Sequence, residues 1–135
     1  MGTVQISARW TGEALHFIGT DSRGNQVAMG GRSNVSASQM VLLGLAGCMG
    51  MDIVSILQKK RQSVSDVEVQ VIAQQPDDYP KPYQKIEVFF TVKGEQVDPQ
   101  AVARAIELSE NKYCIVGQTL QQQVEITTSF EVVNA

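Results

Sequence analysis

Residues 42–52, LLGLAGCMGMD, combine the apolar residues of a helix interior with three glycines and a cysteine. Almost every position from Met40 to Met51 is apolar or glycine, which predicts a helix that is buried on all sides. A glycine in a helix interior costs about 1 kcal/mol relative to alanine. We therefore expect the glycines to serve the close approach of another backbone to the helix, at Gly44, Gly47 and Gly50.

Signals at both ends of this segment set the length of the helix. Ser36, followed three residues later by Gln39, fits a capping box. The cations from Lys59 to Arg61 suit the negative end of a helix dipole. The pattern therefore predicts one helix of about 24 residues, roughly 36 Å long.

Strand patterns lie on both sides of the long helix. Alternating residues predict three strands before it, at 4–8, 14–19 and 26–29, and two after it, at 67–71 and 86–92, with Gly94 turning the chain. Asp98 and Pro99 begin a second helix, and residues 115–120 add a short helical turn. A last strand follows at 124–132. This order predicts the α+β class, as one domain over 1–135.

Composition narrows the class of protein. A hydrophobic content of 43% with 19% charged residues predicts an ordered core. The net charge of −3 and the lack of a long basic run argue against nucleic acid as a partner. We find no signal segment and no run of about 18 apolar residues, so we expect a cytoplasmic protein without a membrane partner. Two cysteines and one histidine are too few for a closed zinc site, and no cofactor is expected.

A helix that is apolar all round needs cover on every face. A chain of 135 residues has limited surface with which to wrap such a helix. A second copy of the chain would supply the missing cover, and the glycines would let the two backbones approach. The sequence therefore predicts a homodimer.

Two segments resemble the OsmC/Ohr family, and in particular its YhfA-like branch: VLLGLAGCMGMDIVSILQKKRQ at 41–62 and AVARAIELSENKYCIVGQTL at 101–120. The resemblance covers essentially the whole chain. It implies antiparallel sheets around a long buried central helix, in an intertwined homodimer. It also implies a thiol peroxidase for organic hydroperoxides, in which Cys48 attacks and Cys114 resolves the product as a disulfide. Dithiols, including lipoyl groups, would be the reductant.

The chain departs from the family at the residues that activate the thiol. Ser38 stands ten residues before Cys48, where the peroxidases have Glu, and Gln39 beside it is an amide. The family's Arg should fall near Gly12, where this chain has none. Other arginines remain as candidates for its role, namely Arg9, Arg23 and Arg32. These departures favour a second hypothesis, in which the same fold is a non-catalytic or redox-sensing module that binds an apolar ligand at the dimer interface.

Each candidate side chain also has an ordinary structural interpretation. A buried cysteine often behaves as a small hydrophobic residue. Asp52, one helical turn after Cys48, would be a structural partner for a Lys, an Arg or a backbone amide, or would act on the thiol. His16 is expected to be an ordinary strand residue. The methionines of the helix would fill the core or line an apolar pocket, at Met40, Met49 and Met51.

Overall fold

The computed structural model describes residues 1–133, and its elements confirm the α+β class. The chain divides into two compact units, Met1–Gly44 and Leu45–Ala135, so the single-domain organisation stays a prediction. The strands are β1 Ser7–Trp10, β2 Phe17–Thr20, β3 Gln26–Met29, β4 Ser63–Gln74 and β5 Lys85–Glu95. The helices are α1 Ala37–Lys59, α2 Pro99–Leu108 and α3 Ile115–Leu120, with a π-helical turn at Ser109–Tyr113.

The N-terminal strands form the predicted antiparallel meander, in the order β1-β2-β3. Its second strand is shorter than predicted, because residues 11–15 fold into the preceding turn and the strand begins at Phe17. His16 therefore precedes the strand instead of lying within it. Its backbone N–H donates to the carbonyl of Glu13 at 3.1 Å, which closes that turn.

The long helix α1 begins at Ala37, where the sequence placed it. The hydroxyl of Ser36 accepts a hydrogen bond from the N–H of Gln39 at 3.3 Å, which confirms the N-terminal cap. The buried residues recur every four positions and form a single stripe, at Leu45, Met49, Ile53 and Leu57. The prediction of burial on all sides is therefore wrong for one chain. Val41, Leu43 and Met51 are 42%, 56% and 74% exposed.

Helix α1 is also long and apolar enough, by length and composition alone, to cross a membrane. An 18-residue window within it has a mean hydropathy of 2.1, and 22% of that window is buried. The sequence has no unbroken run of 18 apolar residues, because Asp52 interrupts it, but one Asp barely lowers the average over the window. The expectation that the chain has no membrane partner stays a prediction. The core helix of a soluble protein meets the same criteria.

The second unit is built on the long antiparallel hairpin of β4 and β5. Val67 pairs with Val92 and Val71 with Val88, which places apolar residues of both strands on one face. Four buried residues of helices α1 and α2 pack against that face: Ile53 and Leu57 of α1, and Ala101 and Ala105 of α2. Gly94 does not turn the chain as predicted, because it pairs with Val64 within the hairpin.

The predicted last strand at 124–132 is absent from the described chain. This segment has no regular secondary structure, although its residues alternate as predicted. Val124, Ile126, Phe130 and Val132 are between 56% and 91% exposed. A strand needs a hydrogen-bonded neighbour, and within residues 1–133 no strand pairs with this segment.

Candidate functional site

The two cysteines meet in one apolar cluster of the second unit. Leu45, Met49 and Cys114 are its buried members, and Cys48 packs against them from α1. Residues of the hairpin and of α3 complete the cluster, namely Val71, Ile86, Val88, Phe90 and Val116. Both thiols are free, Cys48 half-buried and Cys114 fully buried. Two residues that are distant in sequence are thus neighbours in space, as a two-thiol site requires.

Cys114 is held between the π-helical turn and α3. Its backbone N–H donates to the carbonyl of Ser109 at 2.8 Å, which is the bond that closes the turn. Its side chain caps α3, because Sγ accepts a hydrogen bond from the N–H of Gly117 at 3.2 Å. The thiol is therefore fixed by backbone contacts on both sides.

The surroundings of Cys114 favour the neutral thiol. Burial is the largest cause of a raised pKa for Cys114, and the N–H of Gly117 opposes that shift. Hydrogen bonding and charge from Cys48, and the charge of Asp52, raise the pKa further. Since the thiolate is the nucleophile towards peroxides, Cys114 is poorly suited to attack first.

Asp52 has a different partner from those expected. It lies one turn after Cys48 on α1, and its Oδ2 accepts a hydrogen bond from the hydroxyl of Ser109 at 2.9 Å. The expected Lys, Arg or backbone amide is therefore replaced by a hydroxyl. Sequence reasoning missed Ser109, although a serine at an inward position of an amphipathic helix is a usable signal.

The helix glycines have different surroundings. A side chain at Gly50 would approach Cγ2 of Val69 to 3.2 Å, so this glycine lets β4 come close to α1. A Cβ atom added at Gly44 or Gly47 would meet no atom within 4 Å outside the adjoining backbone of the helix. Within the described chain, the close approach predicted from the glycines is therefore observed only at Gly50, and it is to a strand.

A cleft of about 460 Å³ adjoins Cys114. Its wall does not include Cys48. The lining residues are Leu45, Met49, Tyr83, Gln84, Ile86, Val88, Glu110, Cys114, Gly117, Leu120 and Gln121. Met49 thus fills the core and lines a pocket at once. The described residues contain no group of three metal-ligating side chains.

The other candidates lie in the first unit. Ser38 is exposed, and the first turn of α1 carries no acidic residue. Arg9 lies on β1, and Arg23 and Arg32 lie in loops. The ring of His16 packs so closely on the backbone of Gly31 that a side chain there would overlap it, which supports a structural role for the histidine.

Comparisons with known proteins agree with this architecture. The family model for OsmC-like protein matches residues 30–129. Protein YhfA of Escherichia coli K12 is 41% identical over 135 residues, which covers 98% of this chain and 100% of YhfA. A hypothetical protein from Aquifex aeolicus has a solved structure with 28% identity and a TM-score of 0.78, covering 90% of this chain and 89% of that one.

A more distant solved structure is similar in fold alone. The organic hydroperoxide resistance protein OhrB of Bacillus subtilis is 18% identical, with a TM-score of 0.56. The similarity covers 89% of this chain and 91% of that one.

Proposed function

The chain belongs to the OsmC-like protein family, and on that premise we propose that it is a cysteine-based peroxidase. Its substrates are organic, lipid-like hydroperoxides, and its role is defence against peroxide stress. Cys48 attacks the peroxide and Cys114 resolves the product. The similarity in fold to a protein named for organic hydroperoxide resistance supports this substrate class.

The observation that carries the proposal is the unequal environment of two adjacent thiols. Cys48 is half-buried on α1, whereas Cys114 is fully buried and has a raised pKa. Cys48 is the more exposed of the two thiols, and the raised pKa of Cys114 disfavours its thiolate as the first nucleophile. This division supports Cys48 as the attacking residue by an argument that is independent of sequence resemblance.

The reaction balances with the two thiols and a dithiol. The thiolate of Cys48 attacks one peroxide oxygen, the O–O bond breaks, and the alcohol leaves with a proton. The resulting sulfenic acid is attacked by Cys114, which releases water and forms the disulfide. A dithiol of the lipoyl type then exchanges with that disulfide, leaving two protein thiols and an oxidised reductant.

The working form in this proposal is a cytoplasmic homodimer. The apolar residues that α1 leaves exposed support the dimer, because large exposed apolar surfaces mark contacts with other proteins. The alternating segment at 124–132 supports it as well, since its unpaired backbone is available to a neighbouring sheet. Two free cysteines suit the reducing conditions of the cytoplasm.

The test follows peroxide and thiols together. Reduced protein is mixed with cumene hydroperoxide or hydrogen peroxide, and both peroxide loss and free thiols are measured over time. We expect faster loss of the organic peroxide, with both thiols lost per equivalent consumed. Cys48→Ser should abolish this consumption. Cys114→Ser should retain the first turnover and accumulate sulfenic acid at Cys48.

Two outcomes contradict the proposal. Consumption by Cys48→Ser at the parent rate would exclude Cys48 as the attacking residue. Parent protein that keeps both thiols after long exposure to excess peroxide would exclude the two-cysteine cycle altogether.

The cleft supports a second candidate function, which is binding of an apolar ligand without chemistry. Its wall combines aliphatic side chains with a few polar groups, as small-molecule sites do, and it excludes Cys48. Organic extraction of native protein followed by mass spectrometry tests this hypothesis. A stoichiometric lipid-like molecule, together with thiols that survive peroxide, would favour binding over catalysis.

A further inference from the structure

We propose that the hydrogen bond between Asp52 and Ser109 is a positioning device, which holds Cys114 where it closes a disulfide on oxidised Cys48. The inference rests on the proposed function for the roles of the two thiols. Neither Asp52 nor Ser109 touches the reacting sulfur atoms in this scheme. Both are positioning residues, and they act through Cys114.

Helix α1 carries both Cys48 and the acceptor of this hydrogen bond, Asp52. Cys48 and Asp52 are four residues apart, so their side chains lie on neighbouring turns of the same helix face. Anything that is bound to Asp52 is therefore held about one helical turn, roughly 5 Å, from the level of Cys48. Ser109 is the residue bound there, through a 2.9 Å hydrogen bond.

The π-helical turn carries the donor of this hydrogen bond, Ser109. Ser109 is fully buried, and its carbonyl accepts the N–H of Cys114 at 2.8 Å. Its own N–H donates back to the carbonyls of Ala105 and Ile106 in α2. The side chain of Ser109 thus binds α1 while its backbone binds Cys114. These contacts tie Cys114 to the helix that carries Cys48, and a disulfide demands a narrow range of distances between the two residues.

The hydroxyl of Ser109 also supplies a hydrogen-bond donor to the carboxylate of Asp52. In the part of the chain that the structure describes, the ion pairs join Lys85 with Glu87 and Arg104 with Glu107, and neither involves Asp52. The hydroxyl of Ser109 is thus the side-chain donor that the structure assigns to this half-buried carboxylate. Loss of the hydroxyl would both release the π-helical turn from α1 and leave the carboxylate without that donor.

The experiment separates the two steps of the cycle. Reduced protein is mixed with one equivalent of cumene hydroperoxide and quenched at short times. Trapping with a sulfenic-acid probe and alkylation of free thiols are both read by mass spectrometry. The variants are Ser109→Ala and Asp52→Ala, which remove the bond, and Asp52→Asn, which keeps an acceptor oxygen. Ser65→Ala is the matched control, because it removes an exposed hydroxyl that donates to the carbonyl of Lys93 at 3.3 Å.

We expect oxidation of Cys48 to proceed at the parent rate in every variant. Disulfide closure should slow about tenfold in Ser109→Ala and Asp52→Ala, and sulfenic acid should accumulate; tenfold corresponds to about 1.4 kcal/mol, the scale of one hydrogen bond. Asp52→Asn and Ser65→Ala should close within about twofold of the parent. Rescue by the amide identifies the bond, and not the negative charge, as the positioning element.

A second readout does not depend on peroxidase activity. In glutathione buffers, one oxidised glutathione takes two electrons and two protons from the thiol pair and leaves as two reduced molecules. We expect the equilibrium of Ser109→Ala and Asp52→Ala to shift about tenfold towards the dithiol, which is about 30 mV. A parent protein that consumes no peroxide would refute the proposed function, while this equilibrium would still decide the positioning role.

Two results would overturn the inference. The first is closure at the parent rate with an unchanged glutathione equilibrium in both Ser109→Ala and Asp52→Ala. The second is an Asp52→Asn variant as slow as Asp52→Ala, since charge would then be the cause. If circular dichroism shows that Ser109→Ala is unfolded, the comparison of the two Asp52 variants decides alone.

Discussion

Truncation of Met51 to alanine should weaken the proposed homodimer far more than it destabilises a single chain. Met51 lies three residues after Cys48 on α1, and 74% of its surface is exposed in one chain. Full burial of a methionine side chain is worth about 1.5–3 kcal/mol, so covering this exposed part contributes roughly 1–2 kcal/mol per copy. A symmetric dimer buries two copies, and the loss is then about 2–4 kcal/mol of association free energy.

This loss converts into a measurable change in affinity. The dissociation constant of the dimer should rise about 30- to 700-fold in Met51→Ala. Sedimentation velocity over a series of protein concentrations measures the constant for parent and variant. The control is Ile72→Thr, which changes an exposed apolar residue on the outward face of β4 and keeps a β-branched side chain.

Three results would refute the reasoning. A parent that is monomeric at every concentration would exclude the dimer. A dimer whose dissociation constant is unchanged by Met51→Ala would show that this helix face is not in the interface. An equal weakening by Ile72→Thr would remove the assignment to α1.

Two further predictions concern the core of the second unit. Ile53→Ala, at a fully buried position, should lower the free energy of unfolding in urea by about 2–5 kcal/mol. The control is Ser55→Ala, at an exposed position of the same helix, which should change that free energy by no more than about 0.5 kcal/mol. Similar losses in the two variants would contradict the assigned core. The pKa of Cys114 is raised in the folded protein, so the folded state binds the thiol proton more tightly than the unfolded chain does. The free energy of unfolding should therefore fall as the pH rises above the ordinary thiol value of 9.0. Under reducing conditions, the parent should therefore lose stability more steeply above this pH than Cys114→Ala, and parallel curves for the two proteins would refute the shift.

Local signals in the sequence placed the helix starts correctly. The cap at Ser36 and the start at Pro99 were both predicted, and each depends on contacts within a few residues. The hydroxyl of Ser36 and the carboxylate of Asp98 bind backbone N–H groups three and two residues later. Such contacts can be predicted from the sequence because they join residues that are close together in the chain. The family was likewise predicted from two continuous segments.

The errors lie where the outcome depends on distant residues. Alternation at 124–132 describes an intrinsic preference for an extended chain, but a strand forms only beside a partner. The bond between Asp52 and Ser109 joins residues on different helices, so no local pattern predicts it. The π-helical turn was not predicted either. Nothing in residues 109–113, SENKY, indicates that a backbone N–H will donate to the carbonyl five residues earlier and not to the one four residues earlier.

The different burial of Cys48 and Cys114 explains, better than the sequence motifs around them, why one thiol would attack and the other would resolve. A fully buried Cys114 moves little, so a disulfide with Cys48 forms only if the folded chain already brings the two sulfur atoms close. In the proposed positioning role, the π-helical turn would meet this demand, because it carries Cys114 at its end and Ser109 binds it to Asp52 of α1. If the chain is the proposed peroxidase, it needs no unfolding step between oxidation of Cys48 and closure of the disulfide. The rate of closure would then report on the anchoring contact, whereas the rate of oxidation would report on access to Cys48.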